Sequence, residues 1–255
     1  MRLTFPEIQV TNYKSISQRV RVLSELWMQN EMYCPSCGRD NLSKFPNNTK
    51  LADFFCENCG EIYELKSKRI PIGRSILDGA YDTAIERITG NNNPNLFVLG
   101  YHENIIDNLT FIPKYFFTPG VLKIRRALSN DARRAGYVGS VILYDAIPSK
   151  GKIQVINSHE EVKKEIVMNN YMLSRMLSVN NIKMRGWLMD ILKCIDKISS
   201  EIFSLSDVYA FADELAVMHP DNFNVEAKIR QQLQFLRNKG FIKFIGRGKY
   251  QKLRG

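Results

Sequence analysis

Residues 56–69 read CENCGEIYELKSKR, in which a cysteine pair leads directly into a segment with the composition of a β-strand. In an extended strand alternate side chains share a face, so we expect Glu64 and Lys66 to point to the same side. The preceding segment, KLADFFC at 50–56, also alternates and is rich in aromatic residues. The two segments therefore predict consecutive strands that pair as a hairpin.

Asp53 lies on the first of these two predicted strands, where a hairpin would bring it close to Glu64. Asp53 and Glu64 would then hold Mg²⁺, whose bound water can attack a phosphodiester, while Lys66 orients that water and steadies the developing charge. The same spacing also fits an exposed strand that merely carries alternating charges. Glu25, on a predicted first helix, is either a further carboxylate of the metal site or a solvated helix residue.

The cysteines form two C-x2-C pairs separated by eighteen residues. This spacing is typical of a structural zinc site, and a cytosolic chain keeps its thiols reduced, although two disulfides or four free thiols are the alternatives. A zinc ion would clamp the tip of the hairpin and fix its register. Cys194 has no cysteine near it and is predicted to be a packing residue. The expected zinc ligands are Cys34, Cys37, Cys56 and Cys59.

The composition is that of a globular protein with a basic surface: 255 residues are 44% hydrophobic and 24% charged, with a net charge of +10. No apolar run approaches the ~20 residues of a membrane span, and no secretory pattern is present, so we expect a cytoplasmic protein without membrane contact. Residues 225–255 hold nine basic residues against one glutamate. Such patches attract nucleic acid, unless they are only a solvated basic surface. A smaller basic cluster comprises Lys123, Arg125, Arg126, Arg133 and Arg134.

The order of predicted elements indicates an α/β fold. Apolar spacing predicts a first helix capped by Ser15 or Ser17, with Ile16, Val20, Leu23 and Trp27 on its buried face. The pattern changes around 175–185, so we expect a first domain at 1–180 and a second at 181–255. The further elements predicted in the first domain are a helix at 78–89 and strands at 95–101 and 107–112.

The second domain is predicted to contain helices followed by a basic β-hairpin. Ser204 and Asp207 form a capping-box pattern, and Asn224 is the expected cap of the last helix. This arrangement describes a winged helix-turn-helix, whose third helix enters the major groove of DNA. The predicted elements are helices at 184–198, 204–215 and 225–239 and strands at 241–246 and 249–253.

The third of these helices is expected to have one buried and one DNA-facing side. Ile229, Leu233 and Leu236 make the buried seam. Glutamine and arginine pair with base edges, and basic residues of a wing hold phosphates. The alternative is a helical subdomain that only packs on the first domain. The predicted DNA-binding residues are Lys228, Arg230, Gln231, Gln232 and Gln234 on the helix and Arg247 and Lys249 in the wing.

Several blocks of the sequence also resemble a known family. LADFFC and YELKSK resemble the PD-(D/E)XK nuclease core, with Ala52 where that motif usually has proline. Further blocks resemble, in order and along essentially the whole chain, the DpnI family of methyl-directed restriction endonucleases. These blocks are ADF, ELKSK, the two CxxC pairs, DGAY, NNPN, ARRAG, RGW, CIDKI, KIRQQL and GRGKY.

The resemblance implies a PD-(D/E)XK mixed sheet with helices and a structural zinc site, followed by a winged helix, both reading DNA. It implies a type II, methyl-dependent (type IIM) restriction endonuclease that cuts double-stranded DNA at GATC containing N6-methyladenine, acts with Mg²⁺ and Zn²⁺, and is a monomer. Asp53, Glu64 and Lys66 match the catalytic residues, and the four paired cysteines match the zinc ligands. Arg133 and Arg134 are expected at the DNA, as is Tyr137, which replaces the tryptophan of the relative.

Two rival functions remain open from the sequence. One is a non-enzymatic, zinc-containing winged-helix regulator that binds DNA without cutting it, and the other is an enzyme that nicks a single strand.

Methyl dependence also needs an explanation, because one buried methyl is worth only ~0.8 kcal/mol. We hypothesise that two reading domains multiply the discrimination, so that a fragment of residues 1–180 would cleave with much poorer methyl selectivity.

Overall fold

The computed structural model of the chain describes residues 1–8, 13, 15–46, 49, 52–90, 92–178 and 181–253. Some predictions fall outside these described residues: Lys50 and Leu51 of the strand predicted at 50–56, Arg254 of the basic C-terminal region, and residue 180 at the domain boundary. No helix in the described part of the chain combines the length and the apolar composition of a membrane span.

The described residues form seven α-helices. Four of them lie beyond residue 181 and belong to the C-terminal part of the chain. The helices are α1 Ile16–Glu31, α2 Tyr81–Thr89, α3 Lys164–Arg175, α4 Ile182–Lys197, α5 Leu205–Tyr209, α6 Ala212–Met218 and α7 Val225–Asn238.

Thirteen strands of the described chain form three sheets. The strands are β1 Ser43–Lys44, β2 Phe54–Phe55, β3 Ile62–Arg69, β4 Ser75–Ala80, β5 Asn95–His102, β6 Ile105–Ile112, β7 Leu122–Ile124, β8 Gly139–Leu143, β9 Ile153–Asn157, β10 Glu160–Glu161, β11 Ile202–Ser204, β12 Ile242–Gly246 and β13 Lys249–Lys252.

The largest sheet is mixed, with strand order β1-β2-β3-β5-β6-β9-β10. The central pair β3 and β5 is parallel, and the neighbouring pairs are antiparallel. The predicted α/β fold with a mixed sheet is therefore confirmed. A second sheet has the order β4-β8-β7 and lies near one face of the first.

The two faces of β3 meet different surroundings because side chains alternate along a strand. Tyr63 is fully buried and packs on Phe97, with ring centroids 5.3 Å apart. Glu64 and Lys66 are paired in register with Leu96 and Val98 of β5, which pack in the core shared with the second sheet. The side chains of Glu64 and Lys66, the catalytic pair predicted from the sequence, therefore project from the face of the sheet that is turned toward β4.

Two predicted elements of the first domain have different limits in the structure. The helix predicted at 78–89 begins only at Tyr81, because Asp78 and the two residues after it continue β4 and pair with β8. The strand predicted at 50–56 is short and consists of Phe54–Phe55. Local sequence cannot reveal either limit, since both depend on where a partner strand begins and ends.

The first helix is capped as predicted, since the Ser15 side chain accepts a hydrogen bond from the Gln18 N–H. The buried face differs from the prediction. Ile16 is 77% exposed, while Trp27 is buried as predicted. The buried residues of this helix are Ser24, Glu25, Trp27 and Met28.

The C-terminal part contains helices α4 to α7 and a sheet with the order β11-β13-β12, which together form a winged helix. The Ser204–Asp207 capping box is present. The helix predicted at 204–215 is instead two helices, α5 and α6, and each contributes one buried residue to the core, Val208 and Leu215. Asn224 occupies the cap position of α7, but its side chain makes no capping hydrogen bond.

The two parts of the chain share one hydrophobic cluster. Trp187 and Leu188 of α4 are buried together with Ile88 and Phe116 from the first part. The division at residues 1–180 and 181–255 stays a prediction, and a cut there would expose apolar surface on both sides.

Candidate functional site

The hairpin of β2 and β3 brings Asp53 beside Glu64. Asp53 lies in the bend just before β2, and its N–H donates to the Tyr63 carbonyl at 3.0 Å. Its Oδ2 accepts a hydrogen bond from the Leu65 N–H at 2.8 Å. Asp53 is therefore tied to the backbone on both sides of Glu64, by its own N–H to Tyr63 and by its carboxylate to Leu65, which fixes the separation of the two acids.

A cleft of about 630 Å³ opens over this hairpin. Asp53, Glu64 and Lys66 all line it, so the three residues selected from the sequence share one surface. Two carboxylates beside an open space provide the hard oxygen ligands that Mg²⁺ prefers, and the cleft leaves room for its waters. Their catalytic and metal-binding roles stay predictions.

Glu25 also lines the cleft, and its side chain is only 8% exposed. The solvated alternative for this residue is therefore wrong. Its carboxylate pairs with Lys44 at 2.7 Å and with Arg21 at 2.6 Å. Burial raises the pKa of Asp53, and the charges of Glu64 and Glu25 raise it further. A cation beside Asp53 would offset this burial and favour the charged carboxylate.

Two residues that the sequence did not single out complete the charge arrangement. Lys66 Nζ lies 2.6 Å from Glu64 Oε1 and 2.8 Å from Asp78 Oδ1. Arg87 of α2 reaches Glu64 Oε2 at 3.3 Å. Asp78 belongs to the DGAY block, but no local pattern could connect it to Lys66, because the contact joins two separate sheets.

These ion pairs control the ionisation of the buried groups. Burial alone would lower the pKa of Lys66, but the carboxylates of Glu64 and Asp78 raise it above its usual value. Burial would likewise raise the pKa of Asp78, but the Lys66 ammonium holds it below the ordinary value. Lys66 is therefore a cation and Asp78 an anion at neutral pH.

The four paired cysteines converge at the tip of the hairpin, in and beside the turn that joins β2 to β3. All four sulfur atoms lie within 4.8 Å of one another, and Cys34 Sγ is 3.5 Å from Cys59 Sγ. Gly38 and Gly60 follow the two pairs with φ of +75° and +72°, so each turn needs a residue that tolerates the left-handed region.

The sulfur cluster fits a tetrahedral metal site. With metal–sulfur bonds of about 2.3 Å, tetrahedral sulfurs lie about 3.8 Å apart, close to the spacing found here. Burial raises the pKa of Cys34, so a thiolate at that position needs a nearby cation. Burial also acts against the Cys37 thiolate, but hydrogen bonds from Asn58 and Arg39 lower the pKa of Cys37 to about 6. The cluster can hold a structural metal such as zinc. Cys194 is buried in α4 and packs in the core, as predicted.

The mid-chain basic residues lie on the second sheet and the loop that follows it. Arg133 and Arg134 are exposed, and the Arg134 guanidinium lies 3.9 Å from the centroid of the Tyr137 ring. Tyr137 is partly exposed. An open groove of about 650 Å³ runs along the same sheet, and Ser75 lines both this groove and the cleft. The basic residues of the groove are Arg74, Lys123, Arg125 and Arg126.

Most residues predicted to read DNA on α7 are accessible. Arg230 and Gln231 are exposed and Lys228 is partly exposed, with its ammonium 2.7 Å from Gln231 Oε1. Arg230 is hydrogen-bonded to the Tyr209 hydroxyl. In the wing, Arg247 and Lys249 are exposed.

Gln232 does not belong to the accessible face of α7. Its exposure is 0%, whereas we predicted that it contacts DNA. A helix turns 100° per residue, so Gln232 lies beside Leu233 and Ile229 on the buried side. The prediction for Gln232 is therefore wrong.

Comparison with known protein families gives two matches that together span most of the chain. The model of the family described as DpnI, Dam-replacing family, matches residues 1–180. The model described as the Dam-replacing HTH domain matches residues 183–252.

Proposed function

This chain belongs to the Dam-replacing family of DpnI and carries that family's helix-turn-helix domain, and on this basis we propose that it is a methyl-dependent type II (type IIM) restriction endonuclease. Its substrate is double-stranded DNA with GATC sites that contain N6-methyladenine, and it hydrolyses phosphodiesters with Mg²⁺. The observation that carries the proposal is that Asp53, Glu64 and Lys66 line one open cleft.

Each residue of this trio has a distinct role in the proposed reaction. Asp53 and Glu64 would hold the cation, and the Leu65 N–H fixes the Asp53 carboxylate. A bound Mg²⁺ supplies a water of lowered pKa and stabilises charge on the phosphate. Lys66 donates its remaining N–H to the attacking water or to a phosphate oxygen, and its positive charge favours the transition state. Glu25 lines the same cleft, where Arg21 and Lys44 balance its charge.

DNA recognition is divided between the two parts of the chain in this proposal. Arg230 and Gln231 read base edges from α7, while Lys228, Arg247 and Lys249 hold phosphates. Arg133, Arg134 and Tyr137 contact the DNA from the first part, near the basic groove that adjoins the cleft. The stacked Arg134 and Tyr137 offer an apolar surface for a methylated base.

The remaining parts of the proposal concern the metal and the state of the protein. We assign Zn²⁺ to the four-cysteine cluster because its ligands are all sulfur and its geometry closes around the ion, which suits a structural role. We also assign a cytoplasmic location and a monomeric state to the protein.

A plasmid assay tests this function. The protein is incubated with Mg²⁺ and matched plasmids that carry methylated or unmethylated GATC sites. We expect double-strand cuts confined to the methylated plasmid and lost when Mg²⁺ is removed by a chelator. Binding without cleavage would favour a non-enzymatic regulator, and cuts in a single strand would favour a nicking enzyme.

A further inference from the structure

Asp78 lies behind the catalytic cleft and not in it. It is absent from the described residues that line the cleft, although its partner Lys66 lines that space. Asp78 instead lines a separate cavity of about 30 Å³, together with Glu64 and Arg87. Its carboxylate therefore contacts Lys66 from the side of this smaller cavity.

The backbone around Asp78 is built to aim its side chain. Asp78 pairs with Ser140 of β8, and the register shifts between Asp78 and Ala80. Such bulges re-aim side chains and recur beside functional sites. The fully buried Ser140 donates its hydroxyl to the Gly79 carbonyl at 3.0 Å, which holds the bulge in place.

The charges of the site form a chain from Arg87 through Glu64 and Lys66 to Asp78. Glu64 is shared in this chain between Lys66 and Arg87. A divalent cation that binds Glu64 competes with Lys66 for its lone pairs and repels the ammonium. Among the described residues, Asp78 is then the carboxylate that still pairs with Lys66.

The ammonium group has three N–H donors. Glu64 and Asp78 accept two of them, and the third is available toward the cleft. Without Asp78, the ammonium would be held from one side only, and its position relative to an attacking water would vary. A misplacement of about 1 Å at this point costs roughly 100-fold in rate.

We propose that Asp78 is a positioning residue that fixes the Lys66 ammonium during phosphodiester hydrolysis, by an ion pair from the second sheet that persists when Glu64 binds the metal. This inference rests on the proposed nuclease function. Asp78 itself touches neither the metal nor the DNA.

The test is a double-mutant cycle in the full-length protein between Asp78→Asn and Lys66→Met, with Asp190→Asn as the matched control. The Asp190 side chain is also mostly buried and forms an ion pair with Lys193 at 3.2 Å, but it lies on α4 and lines neither the cleft nor the basic groove. Single-turnover cleavage of a methylated duplex is measured with Mg²⁺, and DNA binding and thermal unfolding are measured without divalent ions.

We expect Asp78→Asn to slow single-turnover cleavage roughly 10–100-fold. DNA affinity and the Mg²⁺ concentration that gives half-maximal cleavage should be unchanged. Asp78→Glu should restore part of the cleavage rate. In the Lys66→Met background the same substitution should cause no further loss, and Asp190→Asn should cleave at the parental rate. Cleavage by Asp78→Asn at the parental rate, or an equal loss in both backgrounds, would overturn the proposal.

Thermal unfolding of the same variants without divalent ions tests the ion pair between Lys66 and Asp78 independently of cleavage activity. Asp78→Asn should lower the unfolding midpoint in the parental protein but leave it equal or raise it in the Lys66→Met background, because there Asp78 is a mostly buried carboxylate that has lost its lysine partner. If Asp78→Asn alone fails to fold, the double variant should fold, and its failure would overturn the inference. Absence of cleavage by the parental protein would instead overturn the nuclease function, while the unfolding cycle would still test the ion pair.

Discussion

The phenolic oxygen of Tyr63 lies 3.0 Å from Sγ of Cys34. Tyr63 is fully buried and immediately precedes Glu64 on β3. The four-cysteine cluster therefore makes direct contact with the strand that carries the predicted catalytic pair. A metal in the cluster would hold the register of this strand and, through it, the separation between Glu64 and Asp53.

Loss of a cluster cysteine should remove the structural metal. We expect about one zinc per chain in the parental protein and much less in Cys56→Ser, because three sulfurs bind the ion weakly. The free energy of unfolding should fall by more than about 2 kcal/mol, since metal binding is coupled to folding. Elemental analysis and denaturant unfolding measure both. The control, Cys194→Ser, should keep its zinc, and equal zinc in Cys56→Ser would contradict the assignment.

Removal of charge from the catalytic pair should abolish cleavage without loss of binding. We expect Glu64→Gln and Lys66→Met to lower the cleavage rate at least ~100-fold, because each removes charge stabilisation in the transition state. Gel-shift titration should give affinities close to the parental value. Glu57→Gln is the matched control, since Glu57 lies on the cysteine turn and pairs with the exposed Arg39. Parental cleavage by Glu64→Gln would refute its role.

Gln231 and Gln232 should respond in opposite ways to substitution. Gln231→Ala should weaken specific DNA binding by ~1–3 kcal/mol, because an exposed glutamine that pairs with a base edge is lost. Gln232 is buried, and its Oε1 has no hydrogen-bond partner among the described residues. Gln232→Met should therefore leave DNA affinity unchanged and leave stability equal or higher. Weaker binding in Gln232→Met would restore this residue to the interface.

The capping box at Ser204 should contribute to the stability of the winged helix. Ser204→Ala should lower the free energy of unfolding by ~0.5–2 kcal/mol, since the Asp207 N–H loses its acceptor. Hydrogen bonds from the Ser204 N–H and hydroxyl hold the pKa of Asp207 below its ordinary value of 3.8.

The same capping box gives a pH-dependent prediction. A carboxyl whose folded pKa is depressed stabilises the protein above its unfolded pKa, and this contribution is lost as pH falls through the lower, folded pKa. The stability difference between the parental protein and Asp207→Asn should therefore be full near pH 6 and shrink below about pH 4. Denaturant unfolding at several pH values measures it, and a constant difference would exclude this role.

Methyl selectivity is best tested in the full-length chain. A fragment of residues 1–180 would expose the core that Trp187 and Leu188 cover, so poor selectivity of that fragment would have two explanations. Arg230→Ala removes an exposed side chain of α7 and should reduce the ratio of cleavage rates on methylated and unmethylated DNA about tenfold. Lys197→Ala removes a positive charge elsewhere in the same part of the chain and should leave the ratio unchanged. An unaltered ratio in Arg230→Ala would remove α7 from methyl recognition.

The sequence by itself determined the features that depend on neighbouring residues. The two CxxC pairs gave the sulfur cluster, and strand alternation placed Glu64 and Lys66 on one face, because both patterns repeat within a few residues. The Ser15 cap and the capping box at Ser204 are equally local and were confirmed. Family resemblance led to the same family that the comparisons identify.

Only the tertiary structure decided which elements meet. Alternation specifies the face of a strand but not what covers it, so Asp78 and Arg87 emerged as partners of Lys66 and Glu64 only when β4 and α2 were packed against β3. Gln232 failed as a DNA contact for the same reason, since a polar residue at the edge of a helical seam is buried or exposed according to its packing partner. Contacts between distant segments arise from packing of whole surfaces, and no local pattern encodes them.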